Sequence, residues 1–75
     1  MKTKSKARRR NDSLMFYIPS PYREGFNEGD RVAVVLSSGL VVGKVIRNGG
    51  KLYVRVPLAY SSVVKENEEY ELKKV

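Results

Sequence analysis

Val45-Ile-Arg-Asn-Gly-Gly-Lys-Leu-Tyr-Val-Arg-Val-Pro57 decides the fold. Its second half alternates without a break: Leu52, Val54 and Val56 point one way, and Lys51, Tyr53 and Arg55 the other. That period of two belongs to a half-buried strand. Asn48-Gly49-Gly50 is a strong hairpin turn, so the strand predicted over Leu40–Arg47 doubles back into it. Pro57 ends the second strand because proline has no N–H for a sheet ladder.

The same signals recur upstream. Leu14, Phe16 and Ile18 alternate with Ser13, Met15 and Tyr17, and that strand ends at Pro19. Ser20-Pro21 reads as a helix N-cap followed by proline at the first helical position, with Gly25 interrupting soon after. Asn27-Glu-Gly-Asp30 is a turn and Arg31–Leu36 a β-branched strand. After Pro57 come a short helix or turn (Leu58–Val64), an acidic turn, and a last strand over Glu69–Val75 with Tyr70 and Leu72 inward. Ser37-Ser38-Gly39 reads as a hinge between halves.

Sliding the chain against itself by 38 positions superposes Lys6 on Lys44, Arg9 on Arg47, Leu14 on Leu52, Pro19 on Pro57, Tyr22 on Tyr60 and Glu28 on Glu66. Strand, proline, short helix, acidic turn and strand recur in one order. Neither half can bury its apolar face alone, so the halves must pack together. The expectation is a mostly β domain over residues 6–75, built from two pseudo-repeats (6–37 and 44–75) closed into one barrel. A disordered basic arm over residues 1–5 precedes it.

At 75 residues the chain makes one domain with a thin core. It has no Cys and no His, which removes disulfides, thiolate nucleophiles and the commonest acid/base group and metal ligand. The acids have no partnered base, nucleophile or phosphate-cradling loop, so no enzyme, cofactor or metal site is expected. No apolar run approaches the ~20 residues of a membrane span, and no secretory signal is apparent. A cytoplasmic protein is the expectation. Fifteen Lys and Arg against eight Asp and Glu leave +7. Lys2, Lys4, Lys6, Arg8, Arg9 and Arg10 open the chain without an acid, whereas Glu66, Glu68, Glu69 and Glu71 crowd its far end. Such an asymmetric positive region suits nucleic acid.

The stretch Val45–Pro57, with its Arg-x-Gly turn and Val-Arg-Val-Pro strand end, resembles the opening of the AbrB/MazE-type swapped-hairpin domain. Tyr17-Ile-Pro-Ser-Pro-Tyr-Arg-Glu-Gly25 and Asn27-Glu-Gly-Asp-Arg-Val-Ala-Val34 resemble the same domain, so the likeness covers residues 6–75. The family forms homodimers that interleave their hairpins into one barrel, and many members are prokaryotic transcription regulators or antitoxins. The resemblance therefore implies a swapped-hairpin barrel made within one chain, a monomer with pseudo-twofold symmetry. It also implies a DNA-binding transcription regulator or nucleoid-type protein, archaeal sources included, associated with the nucleoid. Three departures stand out. The helices are short, Arg10-Asn11-Asp12 replaces a glycine turn, and the C-terminal toxin-blocking segment of MazE-type antitoxins has no counterpart, so a toxin partner is not expected.

Carried over residue by residue, the family's DNA contacts fall on Arg8, Arg9, Arg47 and Arg55. Alternation adds Lys51 beside Arg55, and the basic stretches add Lys6, Arg10 and Lys44, giving an eight-residue surface for double-stranded DNA. Tyr17 and Tyr53 lie among them. Arg23, Arg31, Lys65, Lys73 and Lys74 are read as offsetting nearby acids, and Tyr22 and Tyr60 as core. The rival reading is an SH3-like small barrel that binds RNA or protein, suggested by Gly29-Asp-Arg-Val-Ala-Val34 followed by Val41-Val-Gly-Lys-Val45.

Overall fold

A computed structural model describes residues 3–75, whose strands close into a six-stranded antiparallel barrel. In chain order the strands are β1 (Thr3–Arg10), β2 (Ser13–Tyr17), β3 (Arg31–Leu36), β4 (Gly39–Asn48), β5 (Lys51–Pro57) and β6 (Glu69–Lys74). Short 3₁₀ turns, Ser20–Gly25 and Leu58–Ser62, follow β2 and β5. Around the barrel the order is β1-β2-β5-β4-β3-β6, with β6 returning to β1. Closure leaves no unpaired sheet edge.

The strands form where the alternation says they should. Leu14, Phe16 and Ile18 on one side, and Leu52, Val54 and Val56 on the other, all turn inward and meet Val32, Val34, Val45 and Leu72 in one core. Tyr70 sets its ring edge against Phe16, with centroids 6.0 Å apart.

The pairing register carries the 38-residue offset throughout. Ala7↔Phe16 in the first hairpin corresponds to Val45↔Val54 in the second, and Arg9↔Leu14 to Arg47↔Leu52. Likewise Lys6↔Glu69 in β1–β6 corresponds to Lys44↔Arg31 in β4–β3. Two pairs map onto themselves: Phe16↔Val54 between β2 and β5, and Val34↔Leu72 between β3 and β6. A pseudo-twofold axis through those two pairs relates the halves. The loops obey it too. Ala7 N–H donates to Glu68 O at 3.0 Å as Val45 N–H donates to Asp30 O at 2.8 Å, and Asn67 N–H donates to Ala7 O as Gly29 N–H donates to Val45 O.

Backbone conformation explains one sequence departure. Gly49 opens its hairpin turn at φ 65°, and Asn11, its counterpart, does so at φ 57°. Asn enters the left-handed region more readily than other side-chain-bearing residues, so the first hairpin turns without glycine.

Three expectations need correction. Residues 1–5, with Lys2 and Lys4, suggested a disordered arm, but Thr3–Ser5 pair in register with Tyr70–Leu72. Ser5 and Ala7 are small enough to be buried under the lysines, and Ser5 Oγ donates to Tyr17 O at 2.6 Å. Met1 and Lys2, the rest of that predicted arm, lie outside the described residues. Ser37-Ser38-Gly39 is no hinge: Leu36 pairs with Gly39 across a tight turn, so β3 and β4 form a hairpin. The halves are interleaved, because β3 pairs only with β4 and β6, both from the other half. Tyr22 packs against the core as expected, whereas Tyr60 is 43% exposed. In the second 3₁₀ turn Leu58, not Tyr60, packs against the core.

Candidate nucleic-acid interface

Inward residues of β1, β2, β4 and β5 are consumed by the core, so their alternate residues form one outer face. Register orders that face into rows. Arg8 lies opposite Met15, Met15 opposite Arg55, Arg55 opposite Lys44, and Lys44 opposite Arg31. Four cations thus share one row across five of the six strands and follow the curve of the barrel wall. Two of them are held by hydrogen bonds. Arg55 Nε donates to the buried Ser13 Oγ at 2.9 Å, and Arg8 Nη1 donates to Asn67 Oδ1 at 3.3 Å.

The twofold-equivalent row is different chemistry. Ile46 lies opposite Tyr53 and Tyr53 opposite Tyr17, with Lys6 facing Glu69 beyond. The tyrosine rings stand 5.7 Å apart, and Lys51 Nζ sits 5.7 Å from the Tyr17 ring centroid. This is a cation–π distance. The aromatic pair is half-exposed beside the cationic row.

Of the eight predicted residues, Lys6, Arg8, Arg10, Lys44, Lys51 and Arg55 belong to this outer face. Arg10 and Lys51 stand at opposite ends of it, because the hairpin tips are related by the twofold axis and point in opposite directions along the strands. Arg9 and Arg47 do not join them. They share the inward parity of Ala7 and Val45, and their strands carry them past the core at opposite barrel ends, where both are exposed. Arg47 turns to Glu28, with Nε 3.9 Å from the carboxylate. The expected common flank for all the hairpin arginines is thereby corrected: alternation forbids adjacent Arg8 and Arg9 from sharing a face.

Arg31 was read as offsetting acids, yet it stands opposite Lys44. Lys74 does take such a role, 3.2 Å from Asp30. Asp30 also accepts the Asn27 N–H at 2.8 Å; that bond first, and Lys74 second, hold its carboxyl below the ordinary carboxylate range. Part of the acidic end meets the basic strand β1. Glu69 and Glu71 lie opposite Lys6 and Lys4, a favourable cross-strand arrangement that neutralises part of β1. The signal for Arg31 was available only through long-range register.

Two open grooves flank the face. The larger, about 950 Å³, is lined by Arg31, Lys44 and Arg55, together with Asp12 and Glu28. The smaller, about 300 Å³, is lined by Lys4, Lys6, Arg8, Tyr17 and Glu69. Lys6, Tyr17 and Glu69 are the 38-residue counterparts of Lys44, Arg55 and Arg31.

Among the described residues there is no group of three or more metal-ligating side chains, and no helix long and apolar enough to cross a membrane. Comparison with protein-family models, with curated proteins and with solved structures found no match.

Proposed function

We propose that this chain binds double-stranded DNA without catalysing a reaction, as a single-chain barrel of the AbrB/MazE-like swapped-hairpin kind. Its role is that of a small transcription regulator or nucleoid-type protein. The observation that carries the reading is the row Arg8–Met15–Arg55–Lys44–Arg31. Like charges on adjacent strands cost stability. A +7 barrel that keeps four cations in one row, with Arg55 tied to a buried serine, is arranged to meet a line of negative charge. The row follows the curved wall of the closed barrel, so Arg55 and Lys44 on adjacent strands face the DNA together, with Arg8 and Arg31 towards its flanks. The exposed tyrosines add sugar and phosphate contacts. Because each half's last strand pairs only with the other half, the interleaving supports the swapped-hairpin assignment.

The test is binding of matched duplex DNA and structured RNA across a salt series. With Arg8, Arg10, Arg31, Lys44 and Arg55 engaged, log affinity for duplex falls against log salt with slope about −4 to −5. Duplex is preferred over RNA. A preference for RNA, or binding indifferent to salt, overturns the reading in favour of an RNA- or protein-binding small barrel.

A further inference from the structure

We infer that β1 and the Tyr17–Tyr53 pair form a track for single-stranded nucleic acid, with phosphates along Lys4, Lys6, Arg8 and Arg10 and bases against the tyrosines. This is a second ligand class beside the duplex reading, and of the row from Arg8 to Arg31 it uses Arg8 alone.

The track follows from alternation. Small Ser5 and Ala7 are buried in β1, so Lys4, Lys6, Arg8 and Arg10 all leave the strand on its exposed side. They recur at every second residue, about 6.8 Å apart, a spacing close to that of successive phosphates in an extended single strand. The cations run along one strand, not around the barrel wall. Lys4, Lys6 and Arg8 line the smaller groove, and Tyr17, on the neighbouring strand, lines it with them. At the usual spacing β2 lies about 5 Å from β1, within reach of a base whose phosphate rests on β1. Tyr17 is 37% exposed, and its ring centroid stands 5.7 Å from that of Tyr53. Lys51 Nζ, 5.7 Å from the Tyr17 centroid, is near the outer limit of a cation–π contact, so an incoming base displaces it readily.

Width selects the ligand. On the side of β1 away from the tyrosines, Glu69 and Glu71 stand opposite Lys6 and Lys4. A duplex laid along β1 brings its second backbone over those acids or over the tyrosines, with its bases shut inside the stack. A single strand avoids the acids and offers its base faces to the rings. A cationic groove beside aromatic side chains is the combination that holds unpaired strands. The twofold-equivalent strip has a different pattern. Val42, Lys44, Ile46 and Asn48 occupy the positions of the four cations, Arg55 that of Tyr17, and Arg31 and Ala33 those of the two acids. That half carries a cluster of cations without a ladder along one strand and without an aromatic ring in the tyrosine position.

The test is binding of the full chain to oligothymidylate, to oligouridylate and to an abasic deoxyribose-phosphate strand of the same length, followed by fluorescence anisotropy and backbone amide shifts. Saturable shifts at Lys4, Lys6, Arg8, Tyr17 and Tyr53 are expected with a base-bearing strand, and the two sugars identify DNA or RNA as its source. The abasic strand binds roughly tenfold more weakly. Tyr17→Leu weakens the base-bearing strands roughly tenfold and leaves the abasic one unchanged. Lys6→Ala lowers the slope of log affinity against log salt by about 0.7, whereas Lys44→Ala leaves the single-strand slope unchanged. Equal affinity for base-bearing and abasic strands, indifference to Tyr17→Leu, or a loss from Lys44→Ala matching that from Lys6→Ala overturns the track even if duplex DNA binds. Single-strand binding through β1 without duplex binding keeps the track and overturns the duplex reading.

Discussion

The two hairpins share a backbone and part company at the surface. β1–β2 and β4–β5 pair in the same register, bury equivalent residues and enter their turns with φ of 57° and 65°. Yet Arg55 answers to Tyr17, Arg31 to Glu69, and Arg8 to Ile46. Inward positions cannot drift, because each faces a close-packed partner across the axis. Outward positions are free to diverge, and here they have sorted cations to one row and aromatics to the other. Twofold symmetry in such a barrel is a property of the core; function is read from where the surface breaks it.

Swapping residues between equivalent positions probes that comparison. The largest effect is expected for Gly43→Ser, which imports the residue of the first half. Its Cβ meets a backbone oxygen and two valine methyls at 2.7–2.9 Å, and such overpacking costs about 1–3 kcal/mol. Chemical denaturation measures it, and the reverse change, Ser5→Gly, costs less. A neutral Gly43→Ser would mean that the contacts around Gly43 leave room for a side chain. Next come the turns. Gly49→Ala places a Cβ at positive φ and loses about 1–2 kcal/mol; Asn11→Ala, where a Cβ is already present, loses less, and Asn11→Gly is close to neutral. A larger loss from Asn11→Ala than from Gly49→Ala would break the equivalence of the hairpins.

The binding comparison follows. Arg55→Ala weakens duplex affinity by about 1 kcal/mol without loss of fold, and Ser13→Ala has a smaller effect in the same direction by freeing the guanidinium. Arg47→Ala, at the far barrel end and paired with Glu28, changes affinity less than Arg55→Ala. Fluorescence anisotropy decides the order, and a larger loss from Arg47→Ala would move the interface to the barrel end. The smallest effect concerns acid. Asp30 has a folded pKa below its unfolded value, so its stabilisation is complete above the unfolded value and is lost as pH falls through the folded one. Asp30→Asn flattens that part of a stability–pH curve.

Much of the barrel was legible in the residues. Leu52, Val54 and Val56, their counterparts Leu14, Phe16 and Ile18, and the two strand-ending prolines report local geometry. They located β2, β5 and the turns after them. Local signals misled where burial was cheap: Ser5 looks like an arm residue because a small side chain carries little apolar signal, yet it is a buried residue of β1. Of the site, Lys44 and Arg55 were visible through charge and parity, as was the proximity of Tyr17 and Tyr53. Arg31 was not, since only the β3–β4 register sets it against Lys44. Grouping Arg8 with Arg9 and Arg47 neglected alternation, which the sequence itself contains.

The row of cations is the central claim, and the salt dependence of duplex binding in Lys44→Ala and in Arg55→Ala tests it most directly. Each substitution is expected to reduce the slope of log affinity against log salt by about 0.9, with the folded state intact by circular dichroism. A slope unchanged from the parent protein in both variants would contradict it.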